Sequence, residues 1–363
     1  MRNFKLWPAL FVSALLATGC AQKPADRAAA EAAPVTIMTF NVENLFDARD
    51  DPGKDDRTYL PLAMKQTAEH KAACAQVEVP HWREQCLNWD WSEQILQRKL
   101  NVLAAAILQV NGGAGPDILA LQEVENLRVL ERLRTEHLAG AGYRPAILIE
   151  GDDSRGIDVA FLSKFETASR PKLHRIPFDD TAGDRVGDTR GILEATFVLP
   201  GGSLLTGYAV HFPAPFHPTG MRVAAYEFLA KLRASLPADR PAFAAGDFNT
   251  TSEEDAKQSM LDRFARPHWT VVHEQDCRDA AGRCRGTSYY ARDDSWSYLD
   301  LILWAPAQDR GVRATWRLRE NSVRVANGTP DQVRDDGTPL RFALPEGTGV
   351  SDHWPLHLTI ETK

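Results

Sequence analysis

Short apolar runs rich in β-branched residues recur along the whole chain, and most of them close on a carboxylate, an amide or an imidazole. The run at 35–42 leads into Glu43 and Asn44, the run at 117–122 leads into Glu123, and Phe243-Ala244-Ala245 leads into Gly246-Asp247-Phe248-Asn249. Runs of this length and composition read as buried strands. Further strands are expected at 146–149, 157–163, 192–199, 204–212, 298–304 and 354–360. Period-2 alternation places Asp247 and Asn249 on one side of their strand and Phe248 on the other. Between the strands lie a few helical patterns. Ser92 caps a helix over 93–110, with Leu96, Leu100, Leu103 and Ile107 at helical spacing and Gly112-Gly113 ending it. Asn126 opens a second helix, and 221–236 and 253–264 follow. Strands and helices do not alternate regularly. That excludes a doubly wound parallel sheet and predicts an α/β chain of the α+β kind, with two β-sheets packed face to face and helices outside.

The first residues are a targeting segment. Arg2 and Lys5 make a basic start, 6–17 is apolar but too short to span a bilayer, and Leu16-Ala17-Thr18-Gly19-Cys20 resembles a bacterial lipobox. The expectation is a signal peptide at 1–19, lipidation of Cys20, a flexible tether at 20–34, and a single domain at 35–363 with a loop insertion at 48–91. Such a chain is an exported lipoprotein of the cell envelope, held at a membrane by its lipid. Ala21-Gln22 lacks an Asp after the lipidated Cys, which favours the outer membrane. Losing Arg2 and Lys5 takes the formal charge from −7 to −9. An acidic mature chain does not gather nucleic acid by bulk electrostatics.

Besides Cys20 there are four cysteines in two local pairs, Cys74 with Cys86 and Cys277 with Cys284. Neither pair has Cys-x-x-Cys spacing, so two disulfides are expected rather than a zinc site. Asp47, Asp50, Asp51, Asp55 and Asp56 crowd the loop after the first strand. This loop lacks EF-hand spacing; a solvated loop is the favoured reading, with Ca²⁺ as a structural ion the alternative. Trp82, Trp89 and Trp91 in the insertion read as packing. No Lys-Ser/Thr follows Gly112-Gly113-Ala114-Gly115, which excludes a phosphate loop, and no Gly-x-Ser-x-Gly elbow points to a serine hydrolase.

The polar strand ends are Asn41 and Glu43, Gln122 and Glu123, Asp158, His211, Asp247 and Asn249, and Ser351-Asp352-His353. Asp300 stands alone within Leu299, Leu301, Ile302 and Leu303 and needs a partner if buried. Together these residues supply carboxylates for a hard divalent ion, two histidines, and acidic partners for both.

In their order along the chain, Thr39-Phe40-Asn41-Val42-Glu43-Asn44, Leu121-Gln122-Glu123, His211-Phe212-Pro213-Ala214-Pro215, Gly246-Asp247-Phe248-Asn249, Leu299-Asp300 and Ser351-Asp352-His353 resemble the endonuclease/exonuclease/phosphatase superfamily, on its deoxyribonuclease-like side. The resemblance spans about 35–360. It implies a four-layer sandwich, two packed and mostly antiparallel sheets flanked by helices, with the site at one end of the sheets. It also implies Mg²⁺ or Mn²⁺ at Glu123, assisted by Asn41 and Glu43 and completed by Asp352. His353 is then the histidine beside the scissile phosphate, oriented by Asp300. Asp247 orients or deprotonates the attacking water, and the choice of base between Asp247 and His353 stays open. Asn249 holds a phosphate oxygen, His211 is a second acid or base with Asp158 as its carboxylate partner, and Arg190 clamps phosphate.

The expected activity is metal-dependent hydrolysis of a phosphoester, DNA included, by a monomeric nuclease-like phosphodiesterase. The near alternative is a phosphatase or phosphodiesterase for small or lipid phosphoesters. The contrasting class is a surface binding protein that has lost catalysis. Such loss usually removes a catalytic histidine or the metal glutamate, and here all are present.

Overall fold

In the strand Ala242–Asp247, Phe243 and Ala245 face the space between two sheets, while Ala242 and Ala244 face the outer layer. The same alternation runs through the neighbouring strands and builds the whole architecture. The computed structural model describes residues 1, 32–178, 189–308 and 315–362. Ala32–Lys363 forms one compact unit. The expected signal peptide, Cys20 and most of the expected tether lie outside the described residues.

Among the described residues, one sheet is nine-stranded. Its centre is the strand Val35–Leu45, paired in parallel with Ile118–Val124 and antiparallel with Leu356–Thr362. Ile118–Val124 pairs antiparallel with Asp158–Ser163. The second sheet is six-stranded, in the order Lys172–His174, Ile192–Val198, Leu204–His211, Ala242–Asp247, Asp300–Ala305, Thr270–Val271. Among the described residues, only Leu204–His211 and Ala242–Asp247 run parallel within it.

Between the sheets pack Val35, Ile37, Ile118 and Phe161 from the first and Phe197, Phe243 and Ile302 from the second. Phe161 meets Phe197 edge-on, with ring centroids 5.4 Å apart. Truncating such a ring to alanine costs about 3–5 kcal/mol. Outside the first sheet, Leu96, Leu100, Leu103 and Ile107 of the helix Glu93–Leu108 cover Met38, Phe40 and Leu119. Outside the second, Met221, Ala225 and Leu229 of the helix Thr219–Ala234 cover Tyr208, Val210 and Leu301. These are the four expected layers. Ser92 caps the first helix by accepting Ile95 N–H, and Asn126 caps the next by accepting Val129 N–H.

Both expected disulfides are formed, Cys74–Cys86 and Cys277–Cys284. The insertion differs from an irregular loop. It holds the helices Ala68–Ala75 and Pro80–Asn88, which the first disulfide ties together. Thr67 caps one helix and Pro80 starts the other, and their weak amphipathic pattern hides both in the sequence. Trp91 packs as expected, but Trp82 is 59% exposed, because its helix covers little core. The acidic loop is solvated along its middle, where Asp50, Pro52, Gly53 and Asp55 are exposed, but Asp47 and Asp56 at its two ends are buried.

Candidate active site

The inward rows of the strands continue past the apolar core and become polar at one end. Phe243 and Ala245 are followed by Asp247, Ile302 is preceded by Asp300, and Ile37 is followed by Thr39 and Asn41. Asp300 faces Asp247 across the antiparallel pair, and His211 faces Asp247 across the parallel one. Gly246 is required here. A Cβ at this position would stand 1.9 Å from the Val210 carbonyl oxygen, so a side chain would push the His211 strand away.

Chain turns then aim the side chains. Glu43, Asn44, Glu123 and Asn249 all have positive φ, between 51° and 64°. Each such residue without glycine's freedom costs about 1 kcal/mol or more. Four of them at one end of the sandwich mark strain held in place by the surrounding hydrogen bonds. Asn44 N–H donates to Glu123 Oε2 at 2.9 Å, and Asn249 N–H donates to Asp247 Oδ1 at 2.8 Å.

The second Asp247 oxygen is where the groups converge. Asn41 Nδ2 donates to Asp247 Oδ2 at 3.1 Å and lies 3.2 Å from Glu123 Oε1. His211 Nε2 is 3.6 Å from Asp247 Oδ2 and 4.0 Å from Glu123 Oε1. His353 Nε2 is 3.9 Å from the same Asp247 oxygen. His353 Nδ1 meets Asp300 Oδ2 at 2.7 Å, so the lone carboxylate in its apolar strand has its partner.

Burial sets unusual protonation. It pushes the Asp247 carboxyl up to about 7, against the pull of His353. Burial also opposes charge on His353, but Asp300, then Asp247 and Asp352, outweigh it and hold this imidazole well above its ordinary range. His211 is held well below, first by burial and then by Arg190, Arg155 and His353. Its approach to Asp247 is therefore that of a neutral ring, not an ion pair.

Several expected contacts differ. Glu43 has no oxygen left for a metal. Oε1 accepts from Arg341 Nε at 2.7 Å, and Oε2 accepts from the N–H groups of Phe342 and Asp352. It clamps the segment that carries His353. Asn41 turns its oxygen to Glu43 N–H and so meets Glu123 and Asp247 as a donor. Asp158 is buried, but no hydrogen bond or ion pair joins it to His211. Its Oδ1 accepts from Gly151 N–H. Burial and then the neighbouring Glu150 push its carboxyl up to about 8, so it lacks the charge a histidine partner needs. Asn249 places its amide against the Phe212 carbonyl at 2.9 Å, fixing the turn after His211. Arg190 lies beside His211 in a small pocket with Ile176 and Met221, its guanidinium 3.0 Å from Asp153.

Glu123 and Asp352 keep carboxylate oxygens for a cation. Glu123 is partly exposed, and its oxygens accept from Asn41 and Asn44; Asp352 lies against Arg341 at 3.3 Å. An oxygen-only donor set of this kind fits a hard divalent ion that keeps waters. From His353 and Asp352 a cleft of about 1510 Å³ runs outward past Arg341, Tyr289, Tyr290 and Phe216.

Sequence reasoning missed Arg341 and Arg222. Buried Arg222 donates to the carbonyls of Pro213, Ala214 and His217 and pairs with Glu254, bracing the segment after His211. No local signal distinguishes either arginine from a surface residue.

The model of the Endonuclease/Exonuclease/phosphatase family matches residues 88–353. No curated protein matches the chain in sequence. Among solved structures, the endonuclease/exonuclease/phosphatase from Bacteroides vulgatus is 16% identical, with TM-score 0.53, over 91% of this chain and 100% of that one. TDP2 from D. rerio, complexed with a single-strand DNA product, is 15% identical, with TM-score 0.52, over 90% of this chain and 98% of that one. The mannosyl-6-phosphatase of Bacteroides thetaiotaomicron is 15% identical, with TM-score 0.50, over 90% and 99%. At these identities the likeness is one of fold. The matched family model, the four-layer sandwich and the polar end of its sheets make this chain a member of the endonuclease/exonuclease/phosphatase family, whose enzymes hydrolyse phosphoesters.

Proposed function

We propose that this protein is a divalent-metal-dependent phosphodiesterase of nuclease-like specificity, exported and held at the cell envelope by a lipid on Cys20. The observation that carries the chemistry is the convergence of Asn41, His211 and His353 on one Asp247 oxygen, with Glu123 beside them. A carboxyl pushed up to about 7 takes a proton from water near neutral pH. Asn41 and Asn249 N–H fix the carboxylate that receives it. His353, charged through Asp300, offers Nε2–H to the phosphoryl oxygens as negative charge builds. His211 is neutral and presents Nε2 to the same space as a hydrogen-bonding group. Glu123, with Asp352, would hold Mg²⁺ or Mn²⁺, which supplies Lewis-acid polarisation of the phosphoryl group and neutralises the leaving oxygen.

The diester preference is supported by the cleft beside His353. Phe216 and Tyr290 are exposed on its walls, and the Arg292 guanidinium lies 5.8 Å from the Tyr290 ring. Aromatic faces next to arginines suit the stacking of single-stranded bases despite an acidic net charge. Arg190, which stands beside His211, favours the second reading, a phosphatase for compact phosphomonoesters, as a cation for a terminal phosphate.

The test is a substrate panel of plasmid DNA, single-stranded oligonucleotide, bis-nitrophenyl phosphate, nitrophenyl phosphate, inositol phosphates and sphingomyelin, run with EDTA and with Mg²⁺ or Mn²⁺ restored. EDTA-sensitive cleavage of diesters is expected. Cleavage of monoesters alone would replace the nuclease reading with the phosphatase one, and no cleavage at all would favour a binding protein. Cys20→Ser should release the protein from the membrane fraction, and retention there would remove the anchor.

A further inference from the structure

Arg155 stands exposed in the turn before the strand Asp158–Ser163, within electrostatic range of His211. The backbone beneath it is held firmly. Asp153 Oδ1 accepts from Arg155 N–H at 3.0 Å, and the Asp153 carbonyl accepts from Gly156 N–H at 3.0 Å and from Lys54 Nζ at 2.9 Å. Asp55 N–H donates to the Ser154 carbonyl at 2.8 Å. The guanidinium, by contrast, has no counter-ion. The two carboxylates of its own turn go to other arginines, Asp152 to Arg175 and Asp153 to Arg190. Arg341 rests on Glu43, and Arg128 on Asp47. Among the described residues, no carboxylate lies within ion-pair distance of Arg155, whose Nη1 is 3.5 Å from Asn44 Oδ1. Asn44 N–H holds Glu123 Oε2 at 2.9 Å, so this cation stands one residue outward from the expected metal glutamate.

The insertion brings a second group to the same place. Tyr59 stacks on Phe46, with ring centroids 4.1 Å apart and planes 3° from parallel, and Trp91 meets it edge-on at 5.2 Å. Phe46 follows Asn44 by two positions, so this stack fixes Tyr59 beside the same strand end. The phenol is within electrostatic range of Arg155, Glu123, Glu43 and Arg341. Burial holds it above its ordinary range, so it remains a hydroxyl donor at neutral pH. Neither Arg155 nor Tyr59 lines the cleft that opens from His353. A guanidinium fork matches the oxygens of a phosphate, and a hydroxyl adds one more donor.

We propose that Arg155 and the Tyr59 hydroxyl form a second phosphate subsite, which holds the phosphate next to the scissile one in a single nucleic-acid strand. This rests on the phosphodiesterase reading. With the bases of one flank stacked in the cleft beyond His353, the strand continues past Glu123 onto Arg155. Contacts of this kind fix the register of a strand without selecting its sequence.

The test compares substrates that carry one phosphate and several. Arg155→Gln should raise KM for a single-stranded octathymidylate about tenfold with kcat nearly unchanged. It should leave KM for bis-nitrophenyl phosphate, whose one phosphate is the scissile one, as it was. Tyr59→Phe keeps the stacked ring and loses only the hydroxyl, so the oligonucleotide KM should rise about threefold. Binding separates the subsite from catalysis. In a His353→Ala background with Mg²⁺, the anisotropy of a labelled octathymidylate should show a Kd about tenfold weaker once Arg155→Gln is added. The slope of log Kd against log salt should fall by about 0.7, and Arg155→Lys should keep it. Tm should not move, because Arg155 is exposed and unpaired. Weakened binding in a protein that cleaves no diester would keep the subsite and remove the nuclease reading. Diester cleavage with KM and Kd indifferent to Arg155→Gln would keep that reading and overturn the subsite. The subsite is also overturned if both substrates lose affinity equally, or if the His353→Ala protein binds no strand.

Discussion

His353 and His211 approach the same Asp247 oxygen at 3.9 and 3.6 Å, both buried, yet one is charged and the other neutral. Their second ring nitrogens account for the difference. His353 Nδ1 rests on Asp300 at 2.7 Å, whereas His211 Nδ1 is buried with no partner. Two unit charges 4 Å apart interact by about 4 kcal/mol at the effective dielectric of a protein, and each pKa unit corresponds to about 1.4 kcal/mol. A contact at Asp300's distance is therefore enough to reverse the penalty of burial, and the arginines around His211 add to that penalty. Their surroundings follow the same division. His353 opens on the wide cleft, and His211 faces the small pocket that holds Arg190. A shared carboxylate does not fix the state of a buried histidine; the group behind the ring does.

The largest effects should come from breaking the charged half. His353→Ala should lower kcat on a diester by about 10³–10⁴-fold with folding retained by circular dichroism. Asp300→Asn keeps the shape of the pair but removes its charge, and it should lower kcat by about 10²–10³-fold with little change in KM. If Asp300→Asn matches the unsubstituted enzyme, the charge on His353 has no part in the rate. The next effect is that of pH. Burial raises Asp247 to about 7, so its proton-accepting form is lost below neutrality. Between pH 7 and pH 5, kcat/KM should fall about fiftyfold, approaching one decade per unit below pH 6. A flat profile through this window would transfer the base role elsewhere.

Much of this site is legible in the sequence because strands carry their pattern locally. A lone Asp300 among leucines needs a buried partner, and alternation places Asp247 inward and Phe248 outward; Asn249 lies past the strand end, where a positive φ rather than alternation aims it. What stays hidden depends on contacts between distant segments. Glu43 reads as a strand-end carboxylate; its capture by Arg341 joins residues 298 positions apart. Asn41 has the residue type and place of a metal ligand, but Glu43 N–H turns its oxygen away. Asp158 reads as a carboxylate partner for His211, yet Gly151 N–H takes its Oδ1, and burial with Glu150 pushes its carboxyl up to about 8. Burial of Asp47 and Asp56 is equally invisible, since the composition around them is that of a solvated turn.

The neutral half should be less sensitive. His211→Gln replaces one neutral hydrogen-bonding group by another, so kcat should fall only about tenfold, well short of the loss at His353. A loss as large as that of His353→Ala would show that His211 does carry a proton during turnover, and the contrast between the two rings would fail.

Stability offers the smallest effect and carries the comparison beyond the active site. His357 resembles His211: its Nδ1 is buried without a partner, and burial, then repulsion by Arg324, lowers its pKa from 6.5 to about 4. His273 is lowered to about 4 as well, by burial and then Arg266, with its ring stacked on Tyr298. For these two the unfolded chain binds the proton more readily. Their contribution is thus fully present above pH 6.5 and is lost as pH falls toward 4. His353 has the opposite sign: its contribution is present below the unfolded value and is lost as pH rises through its elevated folded pKa. The rings of His357 and His273 are partly open to solvent, so the pair should account for about 1–2 kcal/mol by pH 4.5. His357→Gln should flatten the fall of Tm between pH 6.5 and 4.5 by about half of that. An unchanged slope would mean that the ring is protonated in the fold, and that an unpartnered second nitrogen is not enough to keep a buried histidine neutral.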